Sequence, residues 1–253
     1  MPIAAIAPYA MPATMPDSRV NWAPDPRRAV LLIHDMQHYF LRPYQPDAEP
    51  HADLMANLLA IRQRCTELSI PIIYTAQPGS QLPAERGLLT QLWGPGLTDV
   101  ETDTAIPAPL APAGGDIVVA KHRYSAFIRS PLATMLATAG RDQLLIGGVY
   151  AHIGIQATAV DAFSHDIQPI VLGDAVAAFS ADSHQASLEY MAAHCARVLT
   201  TSDAVRALRR RPASTTPAGS PPAKPPTAAA GSAPPAAALA AVFSAAAFAG
   251  ERR

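Results

Sequence analysis

Val30-Leu-Leu-Ile-His-Asp35 is an apolar run of strand length that ends on a carboxylate, and its reading decides the fold. Two later runs share its form, Asp116-Ile-Val-Val-Ala-Lys121 and Gln143-Leu-Leu-Ile-Gly-Gly-Val-Tyr150. Strands this continuously apolar belong in a parallel sheet covered on both faces. The carboxyl ends of such strands share one edge, where a crevice collects residues remote in sequence. Asp35, Lys121 and the turn after Tyr150 are therefore expected in one pocket.

Outward from these runs, apolar segments of strand length alternate with amphipathic segments of helix length, the pattern of βαβ units. The alternation predicts strands over 29–34, 71–75, 116–120, 143–149, 169–172 and 197–199. It predicts helices over 53–68, 131–139, 155–165 and 183–195. Ser130-Pro131 and Ser180 to Ser183 read as helix starts, and Gly140 as a helix stop. The fold class is α/β, with a central parallel sheet between helical layers.

Six prolines between Pro2 and Pro26 make residues 1–28 an extended arm that wraps its own domain or a neighbour. Residues 29–210 form the globular domain. From 211 to 253 the composition turns to Ala, Pro, Ser, Thr and Gly, which buries too little varied apolar surface to offset ordering, so this tail is expected to be disordered.

The chain has 253 residues, is 49% hydrophobic and carries a formal charge of -1, so nothing in its balance calls for nucleic acid. Arg209-Arg-Arg211 reads as the cationic close of a helix. The two cysteines, Cys65 and Cys195, lie far apart in helical patterns and read as reduced packing residues of a cytoplasmic protein. The N-terminus lacks the charged region of a signal peptide, and no apolar run is long enough to cross a bilayer.

Each candidate for chemistry has a plainer reading beside it. Asp35 is either a general acid in a partly dry site or a cap of the next helical turn. Lys121 either reaches into the crevice to hold a carboxylate or is a solvated residue at a loop start. Gln77 and Arg86 could bind a carboxylate, while the glycines and prolines of Trp93-Gly-Pro-Gly-Leu97 serve as turns. After Tyr150, the first free amides of the 155–165 helix could hold an anion or a developing oxyanion. A cysteine hydrolase would carry its thiol there, where this chain has Gly154. His152 reads first as a packing residue. No metal-ligand spacing or phosphate-binding glycine loop is seen.

Taken together, Leu31-Leu-Ile-His-Asp-Met-Gln37, Tyr74-Thr-Ala-Gln-Pro78, Trp93 to Leu97, Lys121-His-Arg-Tyr-Ser-Ala-Phe127, Gly148-Val-Tyr-Ala-His-Ile-Gly154 and Asp174 to Ser180 resemble the isochorismatases. The resemblance spans roughly residues 5 to 208. It implies a three-layer α/β/α sandwich, a homodimer, and no metal or organic cofactor. It also implies hydrolysis of an enol-pyruvyl vinyl ether by protonation of its terminal carbon, releasing pyruvate. Asp35 matches the family's general acid and Lys121 its partner. Gln77, Arg86, Tyr150 and Gly154 match positions that hold the small-molecule substrate.

An acid that protonates carbon must stay protonated near neutral pH, so Asp35 is expected in a dry pocket that resists ionisation, with Lys121 opposing this. The stretches Phe40 to Pro43, Ala76 to Ser80 and Asp166 to Pro169 look more like the stand-alone phenazine-pathway enzymes, whose substrate is 2-amino-2-deoxyisochorismate. The alternative is an isochorismatase of siderophore assembly acting with a separate carrier protein, since no Gly-Leu-Asp-Ser carrier motif is present. His122 and Ile128 depart from the family pattern. A nicotinamidase-type amidase is disfavoured by Gly154, and a non-catalytic scaffold is the third reading.

Overall fold

The computed structural model describes residues 3–209, so the tail expected from 211 onward lies outside the described residues. Six strands form the sheet: β1 (Ala29–His34), β2 (Ile72–Ala76), β3 (Ile117–Ala120), β4 (Gln143–Val149), β5 (Gln168–Ala177) and β6 (Arg197–Leu199). Every neighbouring pair is parallel, in the order β3-β2-β1-β4-β5-β6. The order reverses between β1 and β4, so the chain leaves these two strands towards opposite faces and a crevice opens beyond their ends. Asp35, Gln77, Lys121 and Tyr150 are each the first residue past β1, β2, β3 and β4.

Nine α-helices are described: α1 (His38–Leu41), α2 (His51–Glu67), α3 (Pro83–Arg86), α4 (Leu89–Trp93), α5 (Glu101–Thr104), α6 (Leu132–Thr138), α7 (Gln156–Ser164), α8 (Ala181–His194) and α9 (Thr201–Ala207). Leu31 and Ile33 of β1 pack with Leu54, Leu58 and Ile61 of α2 on one face, whereas Val30 and Leu32 pack with α6, α7 and α8 on the other. Successive strand side chains point to opposite faces, so two cores require the unbroken apolar run that β1 shows. Each such Leu or Ile is fully buried, which contributes about 1.5–3 kcal/mol.

The boundaries shift where caps decide them. Ser180 Oγ accepts from Ser183 N at 3.1 Å, which starts α8 at Ala181 rather than 183. Ser130 Oγ accepts from Leu132 N at 3.2 Å, and α6 begins there, one residue past Pro131. Gly140, at φ 62°, takes the left-handed turn that ends it. The helix expected to close on the arginine triplet ends earlier, at Ala207; Arg209 Nε bonds the Arg206 carbonyl, and Arg210 and Arg211 lie outside the described residues. Cys65 and Cys195 are free, buried thiols.

Residues 3–28 contain neither helix nor strand and lie along their own domain. Ile6 N donates to the Pro43 carbonyl at 2.8 Å, Asp25 N to Gln143 Oε1 at 2.8 Å, and Ser18 Oγ accepts from Val198 N at 2.9 Å. Among the described residues, no helix is long and apolar enough to cross a membrane.

Candidate active site

The crevice holds a buried ion pair. Lys121 Nζ donates to Asp35 Oδ2 at 2.7 Å, with the two residues 2% and 4% exposed. Thr75 Oγ1 donates to Asp35 Oδ1 at 2.6 Å, and Gln77 Nε2 reaches Oδ2 at 3.3 Å. The plainer readings of both residues therefore fail: Lys121 is not solvated, and α1 is capped at Gln37 rather than by Asp35. Asp35 sits at φ 50°, a left-handed conformation that costs a non-glycine residue about 1–3 kcal/mol. It is held there because its amide donates to both the carbonyl and the hydroxyl of Thr75. Gln37 braces the same exit by bonding both the amide and the carbonyl of Gln77.

The site is dry, and Lys121 opposes protonation of Asp35 as the sequence reading anticipated. Burial alone would raise the Asp35 pKa; the Lys121 ammonium and the hydrogen bonds from Lys121 and Thr75 outweigh it and hold the carboxyl below its usual range. Without a bound substrate, Asp35 is thus a carboxylate at neutral pH.

Arg86 is 4% exposed and has no carboxylate within ion-pair distance among the described residues. Its Nε donates to the Gly94 carbonyl at 2.8 Å, and one terminal nitrogen lies 3.4 Å from Gln77 Oε1. Burial lowers its pKa. A Cβ on Gly96, at φ 82°, would lie 2.5 Å from the guanidinium carbon, so this glycine does more than turn the chain. It leaves the space in which Arg86 lies.

His34 was not singled out by the sequence reading, yet its ring forms part of the floor. Nδ1 lies 2.8 Å from the Val149 carbonyl, which places the proton on that nitrogen. Burial pushes its pKa down to about 4, so the ring is neutral. Nε2 is left buried without a hydrogen-bond partner among the described residues. The ring fills the space beside Gly154: a Cβ there would lie 2.4 Å from His34 Cε1. The position where a thiol was considered is thus blocked by an imidazole.

One expectation for this turn is corrected. Residues Ala151–Ile155 form a π-helical turn that runs directly into α7, and Ile155 N donates to the Tyr150 carbonyl at 3.2 Å. The amide at 155 is therefore not a free anion donor. Tyr150 donates its hydroxyl to the Phe40 carbonyl at 2.6 Å and turns its ring to Phe179, 4.6 Å away centroid to centroid. His152 packs edge-on to the same Phe179 ring, as a packing residue should.

Asp35, Gln77, Arg86, Lys121, Tyr150 and Gly154 all line one cavity. The same lining also includes the apolar residues Ile3, Phe40, Leu89, Trp93 and Phe179. Of these, Ile3 and Leu89 were not expected at the site from the sequence, and Phe40 entered only in a stretch resembling the phenazine-pathway enzymes. His122 instead contacts Gln81 Oε1 at 3.0 Å outside the cavity lining, and Ile128 is exposed.

Residues 29–203 match the isochorismatase domain family. The chain belongs to the isochorismatase family. It is 49% identical over 215 residues to an isochorismatase of Bacillus subtilis, covering 84% of this chain and 69% of that protein. It is 47% identical over 205 residues to phenazine biosynthesis protein PhzD of Pseudomonas fluorescens, covering 80% and 98%. Enterobactin synthase component B of Escherichia coli is 45% identical over 209 residues, covering 82% and 73%. Among solved structures, a cysteine hydrolase from Pseudomonas syringae pv. phaseolicola superposes with a TM-score of 0.68 at 24% identity, over 76% of this chain and 96% of the other. That likeness speaks for the α/β fold alone. Family membership makes this an isochorismatase-type hydrolase.

Proposed function

We propose that the protein hydrolyses the enol-pyruvyl vinyl ether of 2-amino-2-deoxyisochorismate, and of isochorismate with lower preference, to pyruvate and the corresponding dihydro-aromatic acid. The reading rests on one observation: a buried Asp35–Lys121 pair shares its cavity with a buried Arg86 that has no carboxylate partner among the described residues. A substrate with two carboxylates supplies the missing negative charge, one carboxylate meeting Arg86 through the forked donors that suit it. That same charge offsets Lys121, so the burial that favours a neutral carboxyl prevails and Asp35 takes up a proton on binding.

In the bound complex Asp35 delivers this proton to the terminal methylene carbon, and the C=C electron pair forms the new C–H bond. The resulting oxocarbenium ion is captured by water at the adjacent carbon. The captured water gives one proton back to Asp35, leaving a hemiketal; its bond to the ring-borne oxygen then breaks as the hemiketal hydroxyl forms the pyruvate carbonyl and its proton passes to the departing oxygen. Lys121 holds Asp35 in place, and Gln77, Arg86, Tyr150 and Gly154 shape the substrate pocket. With His34 filling the space beside Gly154, water rather than a side chain is the nucleophile. The preference for the amino substrate is supported by the near-complete coverage of the phenazine relative.

A coupled pyruvate assay tests the reading, with both substrates run against wild type and Asp35→Ala. The expected result is pyruvate from wild type, faster with the amino substrate, and a loss of at least about 10³-fold in Asp35→Ala. The wild-type kcat should also fall as pH rises through the Asp35 pKa of the complex. Equal pyruvate from both proteins, or a flat pH profile, would sink the mechanism.

A further inference from the structure

The cavity has a polar floor and an apolar wall, and one piece of that wall comes from the extreme end of the described chain. Ile3 lines the same cavity as Asp35, and residues 3–6 line an adjoining groove with Leu92, Trp93 and Phe179. From Ile6 onward the arm is tied down. Ile6 is buried and its amide bonds Pro43, Tyr9 N donates to the Glu49 carbonyl at 3.2 Å, and Met11 N to Glu49 Oε2 at 2.8 Å. Tyr9 also grips the far wall: its hydroxyl accepts from Ala178 N at 2.8 Å, next to Phe179, and lies 3.2 Å from His184 Nδ1.

Residues 3–5, by contrast, make no hydrogen bond to any other described residue. They rest on apolar contact alone. A short segment held this way exchanges easily between seated and lifted positions, because few interactions must break together. Its seat is the opening of a site whose polar floor gains from exclusion of water.

We propose that Ile3 is a substrate-contacting residue, carried on a liftable arm tip that completes the apolar wall against the ring of the bound substrate. The proposal rests on the vinyl ether reading for the identity of that ring. The arm's anchors set the reach: Ile6 and Tyr9 hold the chain beside the cavity, and Ile3 closes it. The effect falls on binding rather than on the proton transfer, since Ile3 offers only an apolar contact and Asp35 carries the proton.

Full-length Ile3→Ala and Ile3→Glu variants test this. Loss of three carbon atoms from the contact should raise KM about 5- to 10-fold in Ile3→Ala with kcat within about twofold. Ile3→Glu, which sets a carboxylate against an anionic substrate, should raise KM further. Neither should change the thermal midpoint, because Ile3 lies outside the tied part of the arm. A second readout needs no substrate. The chain has two tryptophans, so in a Trp22→Phe background Trp93 reports alone, and Ile3→Glu should about double its acrylamide quenching by lifting the tip. Unchanged KM in both variants, or unchanged Trp93 quenching, would overturn the proposal. Failure of wild type to release pyruvate would instead refute the vinyl ether reading, leaving the quenching result to judge the arm.

Discussion

Gly154→Ala is the sharpest perturbation of this site, because the structure sets its size. The added Cβ would stand 2.4 Å from His34 Cε1, where ordinary contact begins near 3.4 Å, so the ring must withdraw by a full ångström. It has little room to do so. Its Nδ1 is bonded to the Val149 carbonyl at 2.8 Å, and a shift of that size takes the bond beyond hydrogen-bond range. Overpacking a tight interior costs about 1–3 kcal/mol, and stranding a buried polar group costs about as much again. We expect a destabilisation of about 3 kcal/mol, which lowers Tm by about 6–12 °C in a domain of this size. Gly114→Ala is the control, since a Cβ there meets nothing within 4 Å. Thermal unfolding of both variants, with pyruvate release measured below the transition, decides the matter. If Gly154→Ala melts within about 2 °C of wild type, the contact between Gly154 and His34 has been misjudged. Thiol chemistry at 154 should be blocked for the same reason.

Gly96→Ala should behave like a lesion of Arg86, because its Cβ would displace the guanidinium; KM should rise at least tenfold while Tm falls by a few degrees, and steady-state kinetics with unaltered KM would contradict the assigned role. Stability should also fall with acid well before the carboxylates titrate. His34 and His184 are both held neutral, with pKa values pushed down to about 4 by burial, whereas the unfolded chain binds protons from about 6.5 downward. Their contribution is complete above pH 6.5 and is lost as pH falls towards 4, by about 3 kcal/mol for each ring. Urea midpoints at pH 7 and 4.5 measure this, and His184→Gln should remove roughly half of the slope. A midpoint independent of pH across that window would show that the rings are not held neutral.

Much of this was legible in one dimension. All six strands lie within one or two residues of their expected starts, because a strand buried on both faces leaves a continuous apolar run. β5 runs on to Ala177, past its expected end at Leu172, as the apolar residues Ala175, Val176 and Ala177 remain buried there. The one-turn helices α1, α3, α4 and α5 were missed because four or five residues cannot display a helical period. α9, with seven, shows barely two turns.

For the site, the sequence alone determined which residues would meet at one sheet edge. Asp35, Gln77, Lys121 and Tyr150 stand directly after four strands, and in a parallel sheet all four ends must face the same way. The sequence also showed that residue 154 has no thiol. Tertiary structure alone decided how charge and space are shared there. Whether Asp35 is ionised depends on the 2.7 Å approach of Lys121 and on the Thr75 hydroxyl, neither of which a pattern of residue types records. The reason for glycine at 154 and 96 is the volume taken by His34 and Arg86, which only the folded backbone brings into place. The arrival of Ile3 in the same cavity as Asp35 depends on the path of an arm without secondary structure. Periodicity reports what a segment does locally; distances between segments are set by packing, and the chemistry of this cavity depends on those distances.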